Sequence, residues 1–435
     1  FSFQVKMRLF LNAGVIAALL LCGVWAAPHH GNPEEHSYTK EHHDHLHHGN
    51  QETHEHKQCE RSCNQLAPAN ADFAFALYKH LKSQSQKEAK NIFFSPLSIS
   101  TALSMLSLGA KGATHDQIFQ ALGFSEAQVN ETQVNEGFEH LYHMLGHSQE
   151  QLQLEAGNAV VTDDEFKPSH QFLTDAKHYY QTEGFTVDFH KPDEAKQTIN
   201  NFIEKKTHGK IKDLIKDLDP GTVMVLLNYM FFKGKWEKPF EEKYTSKGDF
   251  HVSKDKTVSV DMMKRTGRYL FYYDQQNSTS VLMLPYRGNA SMMVVLPDEG
   301  KMETVEEFIS KDDIKRWHDS LFRSSLDVEM PKYSVSASYS LKEILIEMGI
   351  VNVFGQHADL SGISEVPLKV SKVAHRAVLS VDERGTEAAA ATGIDVMPMS
   401  MPFSMVINRP FILLILEETT ESILFMGKIT DPTAQ

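Results

Sequence analysis

The chain has 435 residues and 41% of them are hydrophobic, which is enough for one large domain or two ordinary ones with a sizeable core. The formal net charge of −14 argues against a nucleic-acid partner, because phosphate backbones are bound by clusters of lysine and arginine. The sequence also contains no basic cluster strong enough to suggest a heparin-like ligand.

Residues 1–26 have the features of a few upstream residues followed by a secretory signal peptide. Arg8 supplies positive charge, an apolar stretch runs from Leu9 to Trp25, and cleavage is expected after the small residue Ala26. A membrane anchor is the alternative, but the length and the cleavage-like end favour a signal peptide. We therefore predict a secreted, extracellular protein, with plasma as its location and no membrane association.

Two other features agree with secretion. Three asparagines occupy short glycosylation motifs, which matter only along the secretory route: Asn130, Asn277 and Asn289. Only Cys59 and Cys63 remain once the signal peptide is removed, so the large domain folds without internal disulfides. These two cysteines could close a small loop, pair between chains or stay free.

Residues 27–65 form a histidine-rich tail, which we predict to be disordered because it has few apolar residues to bury. Neutral imidazoles at this density could bind zinc, copper or nickel, and the candidate ligands are His42, His43, His45, His47 and His48. The alternative is a solvated tail that gains charge below about pH 6.5. No cofactor is required by the rest of the sequence.

The globular part begins with helices and continues with strands. Asn70 is expected to cap one helix, Ser95-Pro96 opens a second that should be buried, and Thr114 starts a capping box with Gln117 for a third. Later apolar runs predict strands, most of them buried on both faces, at 223–227, 281–284, 292–296, 411–416 and 423–426. No repeat or composition break appears after residue 66, so we predict one α+β domain over 66–435.

The stretch 383–402 contains two conflicting patterns. Four alanines after Glu387 favour a surface helix, but Gly393 and Pro398 interrupt the run before a stable helix could form. With period two, small and branched apolar residues fall on one face and both charges of the span fall on the other. This second pattern is typical of a strand with one buried face.

Known catalytic motifs are missing from the sequence, which argues against an enzyme. We find no Gly-x-Ser-x-Gly elbow, no phosphate-binding glycine loop and no paired dinucleotide glycines. His54-Glu-His56 comes near a zinc-protease motif but lacks the second histidine at the required spacing.

Four long motifs stand out in the globular part: the segments that begin Asn91-Ile-Phe-Phe-Ser-Pro and Asn228-Tyr-Met-Phe-Phe-Lys-Gly, the block 368–387, and Asn408-Arg-Pro-Phe. These motifs resemble those of the serpins, a family of serine protease inhibitors. The similarity runs from about residue 66 to the C-terminus in the family's order and leaves out only the histidine-rich tail. It implies an α+β fold of three β-sheets and about nine helices, with an exposed reactive-centre loop at 385–402.

The resemblance also implies a mechanism of suicide-substrate trapping with loop insertion. The bond offered to the protease would be Met399–Ser400, and the loop hinge would consist of Gly385, Thr386, Glu387, Ala388, Ala389, Ala390 and Ala391. The unbranched side chain of Met399 suits elastase-like and chymotrypsin-like pockets, so an elastase-like serine protease, held as a covalent acyl complex, is the expected partner. The chain itself is expected to be a monomer, with polymerisation as a failure mode.

Two further sets of residues match the family's machinery for opening a sheet. Beneath the sheet lies the expected cluster of Ser95, Ser98, Asn228 and His375, and Trp236, Lys332 and Glu383 are expected where the loop inserts. Each could instead be a satisfied buried polar group or a surface ion pair worth less than about 1 kcal/mol.

Two other functions remain as alternatives. One is a non-inhibitory serpin that carries a small hormone, and the other is a secreted metal-binding protein that uses the histidine-rich tail. The hinge favours inhibition over the carrier, because Thr386 and the four alanines suit insertion and a carrier does not need them.

Overall fold

The computed structural model describes residues 48–85, 90–147, 152–384 and 402–434, with side chains from residue 65 onward except those of Ser85 and His147. Contacts between backbone atoms divide the chain into residues 1–51 and 52–435, and the architecture below is that of the second unit. The predicted signal peptide and His42, His43, His45 and His47 lie outside the described residues, as do the side chains of His48, Cys59 and Cys63.

Nine α-helices occur in the described residues, which confirms the number that the resemblance implied. They are α1 (His48–Ser85), α2 (Pro96–Ser107), α3 (Gly112–Ala121), α4 (Glu131–His147), α5 (His170–Tyr180), α6 (Pro192–Lys206), α7 (Met302–Phe308), α8 (Lys311–Ser320) and α9 (Lys342–Glu347). Helix α2 begins as predicted, with Pro96 in its first turn and the Ser95 hydroxyl accepting a hydrogen bond from Ser98 N at 3.1 Å. All residues of α2 are buried.

Helix α1 differs from the sequence prediction at its start. It begins at His48, so residues 48–65 are helical where a disordered tail was predicted, and Asn70 is not a cap. Asn70 is instead buried inside the helix, where its side chain accepts from Ser100 Oγ at 2.9 Å and donates to Ile423 O at 3.3 Å. An asparagine is tolerated there because partners distant in sequence satisfy its amide.

The predicted capping box of α3 is also wrong, for the same physical reason. Gly112 begins the helix, and Thr114 Oγ1 accepts from Asp359 N at 3.0 Å. The side-chain oxygen of Gln117 accepts from the backbone N–H groups of Val351 and Asn352. Both polar side chains therefore bind a neighbouring segment and leave the start of their own helix uncapped.

Fourteen strands account for the rest of the regular structure in the described residues. They are β1 (Ile92–Phe94), β2 (Leu152–Asp163), β3 (Glu183–Val187), β4 (Met224–Gly234), β5 (Ser246–His251), β6 (Thr257–Asp274), β7 (Thr279–Pro285), β8 (Ala290–Pro297), β9 (Phe322–Pro331), β10 (Tyr333–Ser340), β11 (Lys372–Val381), β12 (Phe403–Val406), β13 (Phe411–Glu417) and β14 (Ile423–Ile429). Strands β4, β7, β8, β13 and β14 confirm the apolar runs in the sequence.

Backbone pairing joins these strands into two sheets, whereas the resemblance implied three. The larger sheet has the order β1-β14-β13-β8-β7-β6-β9-β12, with β5 also paired to β6. The difference arises at β6, which is 18 residues long. Its first part pairs with β5, its middle with β9 and its end with β7, so one continuous strand connects what would otherwise be two separate sheets.

The smaller sheet has the order β10-β11-β4-β2-β3 and contains the features that matter most for function. Its two central strands, β11 and β4, run parallel and pair from Lys372 opposite Val225 to Leu379 opposite Phe232. Buried helix α2 contacts β4 and β2. Among the residues described, no helix has the length and apolar character needed to cross a membrane.

Candidate functional site

A buried polar cluster links the two central strands of the smaller sheet to helix α2. Asn228 on β4 lies opposite His375 on β11, and their side chains are hydrogen bonded. The Asn228 amide nitrogen donates to Ser98 O at 2.8 Å, and His375 Nε2 accepts from Ser95 N at 3.1 Å. All four residues that the resemblance placed in this cluster are therefore joined by hydrogen bonds.

One member of the cluster was missed by the sequence analysis. Asn158 on β2 pairs with Asn228 across the strands, and its side-chain oxygen accepts from the Asn228 amide nitrogen at 2.6 Å. It is buried, and residues 159–163 that follow it on β2 are buried as well. A polar residue directly before the apolar run Ala159-Val160-Val161 was the signal that could have identified it.

Burial keeps His375 neutral, and its hydrogen bonds determine which ring nitrogen carries the proton. Burial lowers the pKa of His375 to about 3, so the imidazole is neutral at physiological pH. Nε2 accepts from the backbone of Ser95, which leaves Nδ1 as the protonated nitrogen that donates to the side-chain oxygen of Asn228. The amide nitrogen of Asn228 then serves Ser98 and Asn158, so Asn228 is the centre of the cluster.

We expect Asn228→Ala to lower the free energy of unfolding by about 2–3 kcal/mol, because it leaves several buried polar groups without partners. The measurement is the urea midpoint of the full chain. Asn200→Ala is the control, since the Asn200 side chain makes two hydrogen bonds, both to Ile215, but lies half-buried on α6 away from the central strands. Equal losses in the two variants would contradict a special role for the cluster.

The residues predicted where the loop inserts, Trp236, Lys332 and Glu383, also lie close together, just after the end of β11. The carboxylate of Glu383 is buried, lies 2.9 Å from Lys332 Nζ and accepts from Thr245 Oγ1 at 2.9 Å. Burial alone would raise the pKa of Glu383, but the hydrogen bonds from Lys332 and Thr245 outweigh it and lower the pKa. The hydrogen bond to Glu383 raises the pKa of Lys332, so the pair is ionised at neutral pH. Thr245 was not predicted.

Trp236 also makes contact with the segment that follows β11. Its indole nitrogen donates to Asp382 O at 2.8 Å, and its ring stacks on Tyr286 with centroids 4.2 Å apart. Arg384 pairs with Glu242 at 2.7 Å on the surface. The chain is thus held through residues 382–384, immediately before the predicted loop.

The predicted loop itself lies outside the described residues, which stop at 384 and resume at 402. This concerns the predicted bond Met399–Ser400 and the hinge residues Gly385, Thr386, Glu387, Ala388, Ala389, Ala390 and Ala391. What the structure gives is the two attachment points. The first follows β11 in the smaller sheet, and the second precedes β12, which pairs with β9 in the larger sheet.

The three predicted glycosylation sites differ in their surroundings. Asn130 is exposed, and its side-chain oxygen accepts from Gln133 N at 2.9 Å at the start of α4. Asn277 is half-buried and donates to Asp274 at 2.7 Å, whereas Asn289 is exposed and donates to Glu417 at 2.7 Å. The amide nitrogen that a glycan would use is therefore already hydrogen bonded in two of the three.

Within the described part of the chain, one group of side chains has the spacing of a metal site: Asp163, Asp188 and His190. The buried carboxylate of Asp163 already accepts hydrogen bonds from the backbone N–H groups of Phe189 and Glu165. This arrangement shapes a turn and does not need a metal. The candidate ligands in the histidine-rich tail are not described.

The chain is also similar to known proteins of one family. The family model described as "Serpin (serine protease inhibitor)" matches residues 68–432. An alpha-1-antitrypsin homolog from Cyprinus carpio is 55% identical over 82% of this chain and 95% of its own length. Alpha-1-antiproteinase 2 from Equus caballus is 48% identical over 87% of this chain and 90% of its own.

Two solved structures are also similar to this chain. Human thyroxine-binding globulin has a TM-score of 0.81 and 41% identity, covering 86% of this chain and all of its own. Human glycosylated kallistatin has a TM-score of 0.80 and 39% identity over the same shares of the two chains. The two sequence relatives are thus named for acting on proteases, and one of the solved structures is named for binding thyroxine. The chain described here belongs to the serpin family of serine protease inhibitors.

Proposed function

We propose that this chain is a secreted inhibitor that traps an elastase-like or chymotrypsin-like serine protease as a covalent acyl complex, and that it is not itself an enzyme. The observation that carries the proposal is the parallel pairing of β11 and β4, because β11 leads directly into the predicted loop. A chain that turned back after β11 would run antiparallel to both of these strands. It could therefore enter between them and bond to each.

Such an insertion adds backbone hydrogen bonds to the sheet. It replaces one parallel ladder of eight residue pairs by two antiparallel ladders, and antiparallel pairing is slightly more stable per residue. The first residues to enter would be small, since Thr386, Ala388 and Ala390 share the face directed at the core. The insertion therefore begins where packed strands have least to move.

The chemical step would occur at Met399. The hydroxyl of the protease's serine attacks the carbonyl carbon of Met399, an ester forms, the bond to Ser400 breaks, and the leaving amine takes a proton from the protease's histidine. The loop is then free at one end. Insertion of the 14 residues 386–399 at about 3.3 Å each carries the bound protease on the order of 45 Å. Distortion of its active site would stop hydrolysis of the ester, since displacements near 1 Å already cost large factors in rate.

The two residue clusters would hold the sheet closed before cleavage. An added strand increases the spacing of β4 and β11 by about 4.8 Å, which breaks the hydrogen bond between Asn228 and His375. At the insertion point, the pair of Glu383 and Lys332 fixes the end of β11. These contacts would keep the sheet closed and so hold the uncleaved chain in its metastable state.

The decisive experiment mixes the full chain with neutrophil elastase and separates the products on a denaturing gel. We expect a denaturant-stable band at the summed mass of the two proteins, because the ester survives denaturation. Cleavage of the chain without such a band would overturn the trapping mechanism. The same outcome would favour a substrate or carrier role.

A hormone carrier is the second candidate, favoured by the similarity to thyroxine-binding globulin. A carrier has no need of the small residues in the hinge, so elastase trapping separates the two functions. Metal binding by the histidine-rich tail is a third proposal. Deleting residues 28–57 should abolish metal binding and leave inhibition intact if the tail is an accessory.

A further inference from the structure

On the larger sheet, four aromatic side chains lie together, and three of them are exposed. Phe271 on β6 pairs with Phe322 on β9, and Phe403 on β12 pairs with Leu326, four residues further along β9. Alternate residues of a strand share a face, so Phe271, Tyr273, Phe322 and Phe403 lie on the same side of the sheet. The rings of Phe271 and Phe403 are in contact, with centroids 5.9 Å apart. We call these four residues the aromatic face.

Three of the four side chains of the aromatic face are exposed, whereas Phe271 is 8% exposed and forms its buried base. Phe403 is 62% exposed, Phe322 58% and Tyr273 42%, and the first two are the most exposed large apolar side chains in the described residues. Apolar residues scattered singly on a surface need no explanation, but a contiguous group marks an interaction site. Aromatic residues are also enriched in the buried centres of protein interfaces.

A groove of about 720 Å³ runs beside these rings and could receive a side chain from a partner. Met405 and Leu296 line it together with Phe271 and Phe403. At its polar end, the Tyr273 hydroxyl donates to Asp298 at 2.9 Å, and Arg409 Nε donates to Pro297 O at 2.9 Å. These polar groups already make hydrogen bonds within the chain, so a partner would gain binding free energy mainly by covering the aromatic rings.

Covalent connection places the aromatic face within reach of the predicted reactive bond. Phe403 follows Met399 by four residues, which span at most about 14 Å whatever the conformation of the loop. A typical protein interface covers about 800 Å² on each partner, equivalent to a disc of about 16 Å radius. A protease centred on Met399 therefore covers Phe403 and the edge of the aromatic face.

From this juxtaposition we infer that the aromatic face is a docking surface for the body of the attacking protease, on the rim of its substrate cleft that follows the cut bond. The inference rests on the proposed function, because it identifies the occupant as the protease bound to the loop. It adds a second determinant of specificity to Met399. A protease with an apolar rim is trapped faster than one that has the same primary pocket and a charged rim.

The test compares full-length wild type with Phe322→Ala, because Phe322 is exposed and far from the loop in sequence. Val366→Ala is the matched control, since Val366 is 47% exposed and lies in a different segment, between α9 and β11. One arm measures the second-order rate of inhibition of active neutrophil elastase. The other measures the Kd for elastase whose catalytic serine is replaced by alanine, which reports docking without chemistry.

We expect Phe322→Ala to slow inhibition and weaken the Kd for inactive elastase by about 5- to 30-fold, the range for loss of one interface anchor. The yield of denaturant-stable complex at saturation should not change, and Val366→Ala should stay within twofold of wild type. Phe403→Ala serves as the second variant and should show at least the same loss.

Values within twofold of wild type for both Phe322→Ala and Phe403→Ala would overturn the inference, even where trapping proceeds normally. A wild type that is a dimer in solution and becomes a monomer in Phe322→Ala would also overturn it, because the aromatic face would then bind a second copy of the chain. If wild type forms no denaturant-stable complex, the trapping mechanism fails, and the affinity for inactive elastase alone decides whether the docking surface exists.

Discussion

Met399→Arg should redirect the chain from elastase to trypsin-like proteases. The arginine would bring an uncompensated charge into an apolar primary pocket. This costs about 3–5 kcal/mol, which corresponds to a loss of a hundredfold or more in the rate of inhibition. A trypsin-like pocket has a carboxylate that pairs with this charge, so inhibition of trypsin or thrombin should rise by a similar factor. The measurement is the second-order rate constant for each protease.

The same substitution at neighbouring positions provides the control. Met397→Arg and Met401→Arg introduce the same charge two residues to either side of Met399. Both variants should keep elastase as their preferred target if Met399–Ser400 is the bond that is cut. Redirection by one of them, or an unchanged preference in Met399→Arg, would move the bond elsewhere in the loop.

The sequence predicted those parts of the fold in which local pattern and tertiary role coincide. Strands β7, β8, β13 and β14 appear as apolar runs because their residues are buried on both faces, and α2 is marked by Ser95-Pro96 because its cap is formed by adjacent residues. The number of sheets was not predictable in this way. It depends on whether β6 continues from one set of partners to the next.

Polar side chains were the main source of error. Asn70 and Thr114 have the residue types of helix caps, yet distant segments bind them instead. Asn158 and Thr245 complete the two functional clusters, but neither residue type indicates its partner 70 or 138 positions away. The remaining members of both clusters came from resemblance to the serpins, since no spacing in the sequence connects Ser95 with His375.

Glu383→Lys should convert the chain from a monomer into polymers on warming. The substitution removes the carboxylate that accepts from Lys332 and Thr245 and puts a second positive charge beside Lys332, so stability at the insertion point should fall by about 2 kcal/mol or more. A loosened end of β11 lets the loop of one molecule enter the sheet of the next. This head-to-tail contact does not close on itself and grows into open chains.

Native gels after incubation at rising temperature would measure this effect. Glu242→Lys is the matched control, because Glu242 pairs with Arg384 in the same region but on the surface, where such a pair is worth about 1 kcal/mol or less. The double variant Glu383→Lys with Lys332→Glu restores opposite charges and should recover part of the monomer. A Glu383→Lys protein that polymerises no earlier than Glu242→Lys would show that the ion pair does not control insertion, and the polar cluster around Asn228 would then be the element that keeps the sheet closed.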